Sequence, residues 1–402
     1  MIIPMETHRR AIIIVEKLRE AGYVAYFAGG WVRDFLLQHP SDDIDIATNA
    51  PPEEVMRLFP KTVKVGVSFG VVMVMIDETP FEVATFRKDG LYLYGRRPET
   101  IAFSTPEEDA LRRDFTINGM FYDPLTAEVF DFVGGRADLK LGIVRAIGDP
   151  AERFREDRLR MIRGVRMQAR FGFIMDPSTR EAIKDQAQTL LPAVAMERIC
   201  QEFYKMAGYP GFAYGLLTMH ELGLLPCIFP ELKEEPLDAL TQRLKSLKSP
   251  CPAILGLTSL FPQLDQNALT TLLETLTVPK KDISLGLFYR QSLPNNDYDY
   301  VKFLSDRRFA QCSTFYTARL DENERKQLQE KQIHLRTYVQ RHQRRELGVS
   351  SKQLEEAGIV PGPTMGKLLV EAERLAVEQK IENPAELLIA LKRSKQWPKS
   401  PS

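Results

Sequence analysis

Asp43 and Asp45, in the stretch SDDIDIAT that starts at residue 41, alternate with Ile44 and Ile46. Alternation of polar and apolar residues is the period of a strand. Side chains two apart on a strand share a face, so this reading sets two carboxylates a few ångströms apart, where they repel. A positive partner is required. Acids so placed can hold divalent cations, each Mg²⁺ taking one or two carboxylates while substrate phosphates fill its shell. Two such ions would activate an attacking hydroxyl and steady a departing pyrophosphate. Asp43 and Asp45 are therefore the expected metal ligands. Glu82, in FEVATFR on a neighbouring expected strand, is the candidate third catalytic acid. A solvated edge strand is the other reading of the aspartates, and a surface glutamate the other reading of Glu82.

A phosphate cradle is expected nearby. AGGWVRD sets Gly29 and Gly30 between a strand and a helix, where backbone N–H groups and a helix N-terminus meet phosphate oxygens. Arg33, one turn further, adds a charged fork. Neither G-x-G-x-x-G nor G-x-x-x-x-G-K-[ST] follows, which disfavours a dinucleotide fold or a P-loop. A glycine pair alone also fits a plain tight turn; together with D-x-D it describes a nucleoside triphosphate held beside divalent cations.

The elements that must position these groups are mixed α/β over the first 150 residues. THRRAIIIVEKLREAG reads as a helix ending at Gly22, YVAYFAGG as a strand, WVRDFLLQ as a helix and DDIDIAT as a strand. PPEEVMRLF is a helix with proline at its start, and KTVKVGVSFGVVMVMID and FEVATFR are strands rich in β-branched residues. Lys88 to Pro106 reads as a long loop. Afterwards the pattern is helical, in PAERFREDRLRMIRGVRMQARFGF, in REAIKDQAQTLLPAVAMERICQEFYKM and beyond, with Pro-rich joints near 210, 226–236, 249–252 and 361–363. The last residues, RSKQWPKSPS, are expected to fray.

Composition narrows the partners. Lys+Arg and Asp+Glu each number 54 in 402 residues, so a nucleic acid must be held by local basic patches and not by a global field. The four cysteines are widely spaced with no C-x-x-C pair, as in a reduced, cytoplasmic protein. MIIPMETHRR does not read as a signal peptide, and no apolar run reaches membrane-spanning length.

GGWVRDFLLQHPSDDIDIAT resembles the signature of class II tRNA nucleotidyltransferases and bacterial poly(A) polymerases, whose head has the polymerase-β-like nucleotidyltransferase fold. RRDFTINGMFYDP from Arg112, GDPAERFREDRLRMIRGVRMQARFGF from Gly148 and AMERICQEF from Ala195 continue the likeness in the family's order. Weaker likeness runs through GLLPCIFPEL and GIVPGPTMGKLL. The resemblance implies an α/β catalytic head over 1–148, followed by an all-α neck for base recognition (149–208), a body (209–330) and an RNA-binding tail (331–402). It makes Asp43 and Asp45 the metal-binding catalytic pair. It gives Arg112, Arg113, Asp114 and Asn118 to the ribose and triphosphate, for which arginines and an Asp/Asn pair are chemically suited. Their other reading is an ion-paired helix start with a capping Asn.

In the same family the motif matching Glu156-Asp157-x-x-Arg160 presents its Asp and Arg to the base edge. Read as one helix, Asp157 and Arg160 are neighbours on a face, which also fits an ordinary salt bridge. Cytosine and adenine both show an amino donor beside a ring-nitrogen acceptor, which a carboxylate and a guanidinium match. Uracil and guanine would leave both protein groups unpaired, at about 1–3 kcal/mol each. Glu156 is expected to orient Arg160 from behind, and Arg163 and Arg166 to approach phosphates, although a solvated face suits such arginines too.

Within the family, RKDGLYLYGRRPETIAF resembles the flexible loop of members that add the terminal A. Tyr94 stands there for a frequent acid, Gly119 for a frequent Ala, and Met167 for a frequent aromatic residue. The Arg-Arg-Phe run that marks bacterial poly(A) polymerases is absent from KVGVSFGVVMV. Residues 331–402 carry 13 Lys/Arg against 8 Asp/Glu, enough for a local phosphate-binding surface. His220 reads as a packing residue. The expectation is addition of C and A from CTP and ATP to the tRNA 3′ end with Mg²⁺, releasing pyrophosphate. The alternatives are an A-only enzyme (terminal-A adder or poly(A) polymerase) and a non-catalytic RNA-binding protein.

Overall fold

The computed structural model describes residues 5–39, 41–64, 70–90, 92–93, 97–98, 101–248 and 250–398. The chain divides into two compact units. One comprises Met1–Lys245 with Ser249–Ala253 and Thr275–Thr277; the other comprises Ser246–Lys248, Ile254–Glu274 and Val278–Ser402.

The first unit begins with α1 (Met5–Glu20), whose Ala11, Ile14, Val15 and Leu18 recur at helical spacing and are fully buried, the pattern of an amphipathic helix on a core. Then come β1 (Ala25–Ala28), α2 (Gly30–Leu36), β2 (Asp45–Thr48), α3 (Pro52–Leu58), β3 (Thr62–Val63), β4 (Val71–Ile76) and β5 (Thr79–Thr85). The short strands β6 (Arg87–Asp89), β7 (Tyr92–Leu93), β8 (Arg97–Pro98) and β9 (Ile101–Phe103) lead to α4 (Pro106–Leu111). A 3₁₀ turn (Thr116–Asn118), β10 (Phe121–Asp123), β11 (Glu128–Phe130), α5 (Gly135–Leu141) and β12 (Ile143–Val144) follow.

Seven strands form one sheet in the order β11-β10-β1-β2-β5-β4-β3. Its pairs are antiparallel except β2 with β5, where Ile46 lies opposite Val83. That single parallel register matters. It sets Asp45 beside Glu82, one residue earlier on each strand and on the face opposite the buried Ile46 and Val83. Ala28, Ala47, Phe86, Ala110 and Phe121 form a core cluster that seats α4 against the sheet.

Three expectations are corrected. β2 starts at Asp45, so Asp43 precedes the strand in an unpaired segment and does not share a strand face with it. The 88–106 stretch is not an open loop, because β6 pairs with β9 and β7 with β8. KTVKVGVSFGVVMVMID is divided between β3 and β4, and its residues 65–69, the position of the Arg-Arg-Phe marker, lie outside the described residues, as does Tyr94.

The helical part of this unit contains α6 (Pro150–Glu156), α7 (Leu159–Phe171), the short β13 (Ile174–Met175), α8 (Pro177–Gln186), α9 (Met196–Ala207), α10 (Phe212–Glu221), α11 (Leu224–Ile228) and α12 (Leu237–Leu244). The expected single helix from 150 to 173 is broken. Asp157 adopts an extended conformation between α6 and α7, and its Oδ1 accepts the Leu159 N–H at 3.0 Å, a local side-chain bond that competes with helix continuation. The half-buried His220 donates from Nε2 to the Glu235 carbonyl oxygen at 2.8 Å.

The described residues of the second unit contain helices and no strand, the last helix spanning Pro384–Lys392. Phe303 packs at 4.9 Å on Phe288 and at 5.1 Å on Phe309 and Tyr316, ring centre to ring centre. Asp321 with Glu324, and Ser350 with Gln353, form reciprocal capping boxes, which satisfy orphan N–H groups at two helix starts. Among the described residues no helix is long and apolar enough to cross a membrane.

Candidate active site

A cavity of about 880 Å³ in the first unit gathers every residue expected at the site except Glu156. Gly29, Gly30, Asp43, Asp45 and Glu82 belong to its sheet side; Arg112, Arg113, Asp114 and Asn118 come from the segment between α4 and β10. Asp157, Arg160, Arg163 and Arg166 complete it from the α6–α7 region.

The acidic wall is short of positive charge. Asp45 is half-buried. Burial, then the neighbouring Glu82 and Asp43, push its carboxyl up to about 7, against which Arg113 works only in part. Among the described residues no three His, Cys, Asp or Glu side chains stand close enough to hold a metal by themselves, so Glu82 does not close a three-acid cage. Two carboxylates with excess negative charge still fit Mg²⁺, which keeps waters and takes substrate phosphates in preference to an all-protein shell.

A pH dependence follows. A carboxyl whose folded-state pKa exceeds its unfolded value binds its proton more tightly in the fold, so stability drains away as pH rises from about 4 to about 7. In chelator-treated protein, Asp45→Asn should therefore raise the thermal midpoint at pH 8 and leave it nearly unchanged at pH 4. Equal shifts at both values would mean that the charge on Asp45 is already compensated.

Gly29 is at φ 67°, and a Cβ there would lie 3.0 Å from Arg113 Nη1 and 4.0 Å from Asp45 Oδ2. The residue is glycine because the backbone turns left-handed where an arginine and an aspartate converge. Its N–H donates to the Met120 carbonyl at 3.3 Å, an engagement the phosphate-cradle expectation did not include. Arg33 differs more. Buried at 3 % exposure, it donates from Nε and Nη2 to Asp34 Oδ1 at 2.9 and 2.8 Å, and from Nη1 to Asn118 Oδ1. Its ring partner is Phe171, 4.8 Å below. In this arrangement Arg33 is a strut under Asn118.

Asn118 in turn donates to Asp114 Oδ1 at 3.0 Å, while Arg163 donates from Nε to Asp114 Oδ2 at 2.8 Å. Burial alone would raise the Asp114 carboxyl; Arg163, the Asn118 amide and Arg160 outweigh it and hold the group well below the usual carboxylate range. Asp114 is thus a charged acceptor at any physiological pH.

Asp157 and Arg160 line the cavity without pairing. Arg160 Nη1 donates to Glu156 Oε2 at 2.6 Å, and Nη2 to the Arg112 carbonyl at 3.0 Å. Asp157 Oδ2 accepts from Arg198 Nη2 at 3.1 Å. Each is therefore oriented by a separate partner. Arg166 is pinned by Glu202, 2 % exposed, through a 2.6 Å bond.

Residue-by-residue reading missed Asp109, Arg198, Glu202, Lys205 and Tyr209. Arg198 and Glu202 sit four apart in AMERICQEF, a helical spacing that signals a shared face. Asp109 lies three and four residues before Arg112 and Arg113, the same signal. The departures at Gly119 and Met167 are matters of packing. A Cβ on Gly119 would meet Val133 Cγ2 at 2.7 Å, and Met167 Sδ lies 3.5 Å from Arg33 Nη1.

The chain is similar to known proteins over most of its length. Residues 25–145 match the family described as "Poly A polymerase head domain", and residues 172–235 match "Probable RNA and SrmB- binding site of polymerase A". The CCA-adding enzyme of Streptococcus pneumoniae serotype 19F is 33% identical over 403 residues, covering 96% of this chain and 97% of its own. That of Ligilactobacillus salivarius is 36% identical over 408 residues, 95% of each chain. The solved Bacillus stearothermophilus CCA-adding enzyme in complex with CTP superposes with a TM-score of 0.69 at 29% identity, covering 96% of this chain and 97% of that one. With a nucleotidyltransferase head, a helical remainder and end-to-end likeness to these relatives, the chain belongs to the CCA-adding enzyme family of nucleotidyltransferases.

Proposed function

We propose that this chain adds C and A nucleotides from CTP and ATP to the 3′ end of tRNA, completing the CCA terminus and releasing pyrophosphate. The observation that carries the reading is the single cavity in which the acidic wall, the arginines and the Asp157–Arg160 pair meet. In this reading residues 1–148 carry the chemistry, 149–208 the choice of base, 209–330 the helical body and 331–402 contacts to RNA.

Asp43 and Asp45 would hold Mg²⁺, with Glu82 alongside. Bound there, the ion would lower the pKa of the tRNA terminal hydroxyl and neutralise charge on the triphosphate. The residues themselves supply orientation. Arg112 and Arg113 face the phosphates, and Asp114 and Asn118 the ribose hydroxyls. Arg160 and Asp157 read the ring nitrogen and the amino group shared by cytosine and adenine. Three of the five N–H donors of Arg160 are engaged by Arg153, Glu156 and Arg112, which leaves two for a base. Arg163 is committed to Asp114 and Arg166 to Glu202, so both act chiefly by holding the neck side in shape. The reaction belongs in the cytoplasm.

Incubating one tRNA that lacks its CCA end with CTP, ATP or both tests the function. CTP alone should yield two added cytidines, and the terminal A should require both nucleotides. Incorporation of A alone, and only on tRNA ending in CC, would replace this reading with the A-adding one. Long tails on arbitrary RNA would indicate polyadenylation.

A further inference from the structure

We infer that Asp109 is the positioning residue of the nucleotide site: it touches no substrate but fixes which edge of Arg112 and of Arg113 faces the triphosphate. The inference rests on the functional reading above.

Asp109 sits on α4 and is 1 % exposed. Its Oδ1 accepts from Arg112 Nε and Nη2 at 2.9 and 2.6 Å; its Oδ2 accepts from Arg113 Nε and Nη2 at 3.1 and 2.9 Å. One carboxylate therefore grips two guanidinium groups, each by its Nε/Nη2 edge, with the two N–H groups of each edge converging on one oxygen in charge-assisted bonds. The opposite edge is then determined. Arg113 Nη1 is turned to the Gly29 corner, 3.0 Å from where a Cβ would be and beside Asp45 Oδ2, and it donates to the Asn118 carbonyl at 3.4 Å. That corner is where a triphosphate bound to the Asp43–Asp45 wall has to pass.

The same carboxylate reaches further. Oδ1 also accepts the Arg87 N–H at 3.2 Å, at the root of the β6–β9 ladder. The Arg112 carbonyl accepts from Arg160 Nη2 at 3.0 Å. Asp109 thus joins the hairpin that follows β5, the two phosphate-facing arginines and, through Arg112, the base-reading arginine. Arginine loses about 2 kcal/mol of rotamer entropy when fixed; a carboxylate that fixes two of them before the substrate arrives removes that cost from nucleotide binding. It also halves the charge of the arginine pair, which keeps the guanidiniums together when no triphosphate is present.

Asp109→Asn is the test. It is isosteric, but its amide nitrogen cannot accept from the second guanidinium. KM for CTP and KM for ATP should rise together, by about ten- to a hundredfold, because the affected contacts are to the part common to both nucleotides, while kcat stays within about threefold. In an Arg112→Ala/Arg113→Ala background, Asp109→Asn should raise neither KM further, since neighbours acting through one another are not additive. Unchanged KM with a lowered thermal midpoint, a change confined to one nucleotide, or full additivity in the double background would each overturn the inference. If Asp109→Asn does not fold, Asp109→Glu, which keeps the charge one methylene further out, should show the same paired rise. Failure of both to fold would assign Asp109 to the fold and also overturn it. Calorimetric CTP binding on the same proteins separates the two levels. A wild-type chain that binds CTP, weakened by Asp109→Asn, yet extends no tRNA would sink the functional reading alone.

Discussion

Asp43→Ala and Asp45→Ala should each reduce nucleotide incorporation by at least on the order of 10³-fold while leaving the affinity for tRNA within about twofold. Removing one preorganised charge-stabilising group from an active site costs about 10²–10³ in kcat, and in the proposed function these two carboxylates would both hold an ion and bring it to the phosphate. Neither is needed by the fold. Asp43 is exposed ahead of β2, and Asp45 is a half-buried carboxyl pushed up to about 7 by burial and by Glu82 and Asp43. Stability should therefore be unharmed, and for Asp45 improved at pH 8. Filter binding of labelled tRNA beside single-turnover extension would measure both halves. Parallel loss of binding and extension would point to a structural role, and full retention of extension to a non-catalytic RNA-binding protein.

Asp157→Ala, with Arg160 intact, should blur base choice more than it weakens binding. Asp157 accepts from Leu159 N–H and from Arg198, and Arg160 is held independently by Glu156 and Arg112, so removal of the carboxylate leaves the guanidinium in place. In the proposed reading, rejection of UTP and GTP would rest on leaving two polar groups unpaired, at about 1–3 kcal/mol each. Deleting one should cut the preference for CTP over UTP by about ten- to a hundredfold, read as the ratio of kcat/KM values. A uniform loss for all four nucleotides would assign Asp157 to the α6–α7 junction and not to the base. Arg160→Ala should lose discrimination too, and should also loosen Arg112, whose carbonyl it binds.

The residue patterns carried the site unusually far. D-x-D, the glycine pair, the RRDFTIN stretch and EDRLR each supply groups chemically suited to phosphate, sugar or base, and the cavity is lined by the expected residues of each apart from Glu156. Glu156 was legible as the residue behind Arg160, and the 2.6 Å bond is present. The α/β head followed by helices was equally readable, because hydrophobic period and turn residues are local properties.

What the patterns misjudged was local geometry wherever a side chain competes with the backbone. EDRLR reads as uninterrupted helix, since nothing in the residue types forbids it; the break arises because Asp157 bonds its own backbone two residues on and meets Arg198 from α9. Alternation alone puts Asp43 on a strand, yet strand pairing begins only at Asp45, where β1 supplies a partner in Ala28.

Residue types and spacing alone made legible the groups on offer (paired acids, a glycine pair, clustered arginines, an Asp and an Arg three apart) and the helical or strand character of most segments. Only the tertiary structure decided who holds whom. Arg33 under Asn118 and Glu202 under Arg166 are buried contacts of charged groups whose partners stand 85 and 36 residues away. The physical reason is that a buried charge must find a partner in space, and space is set by sheet order and helix packing, which no single stretch of chain contains.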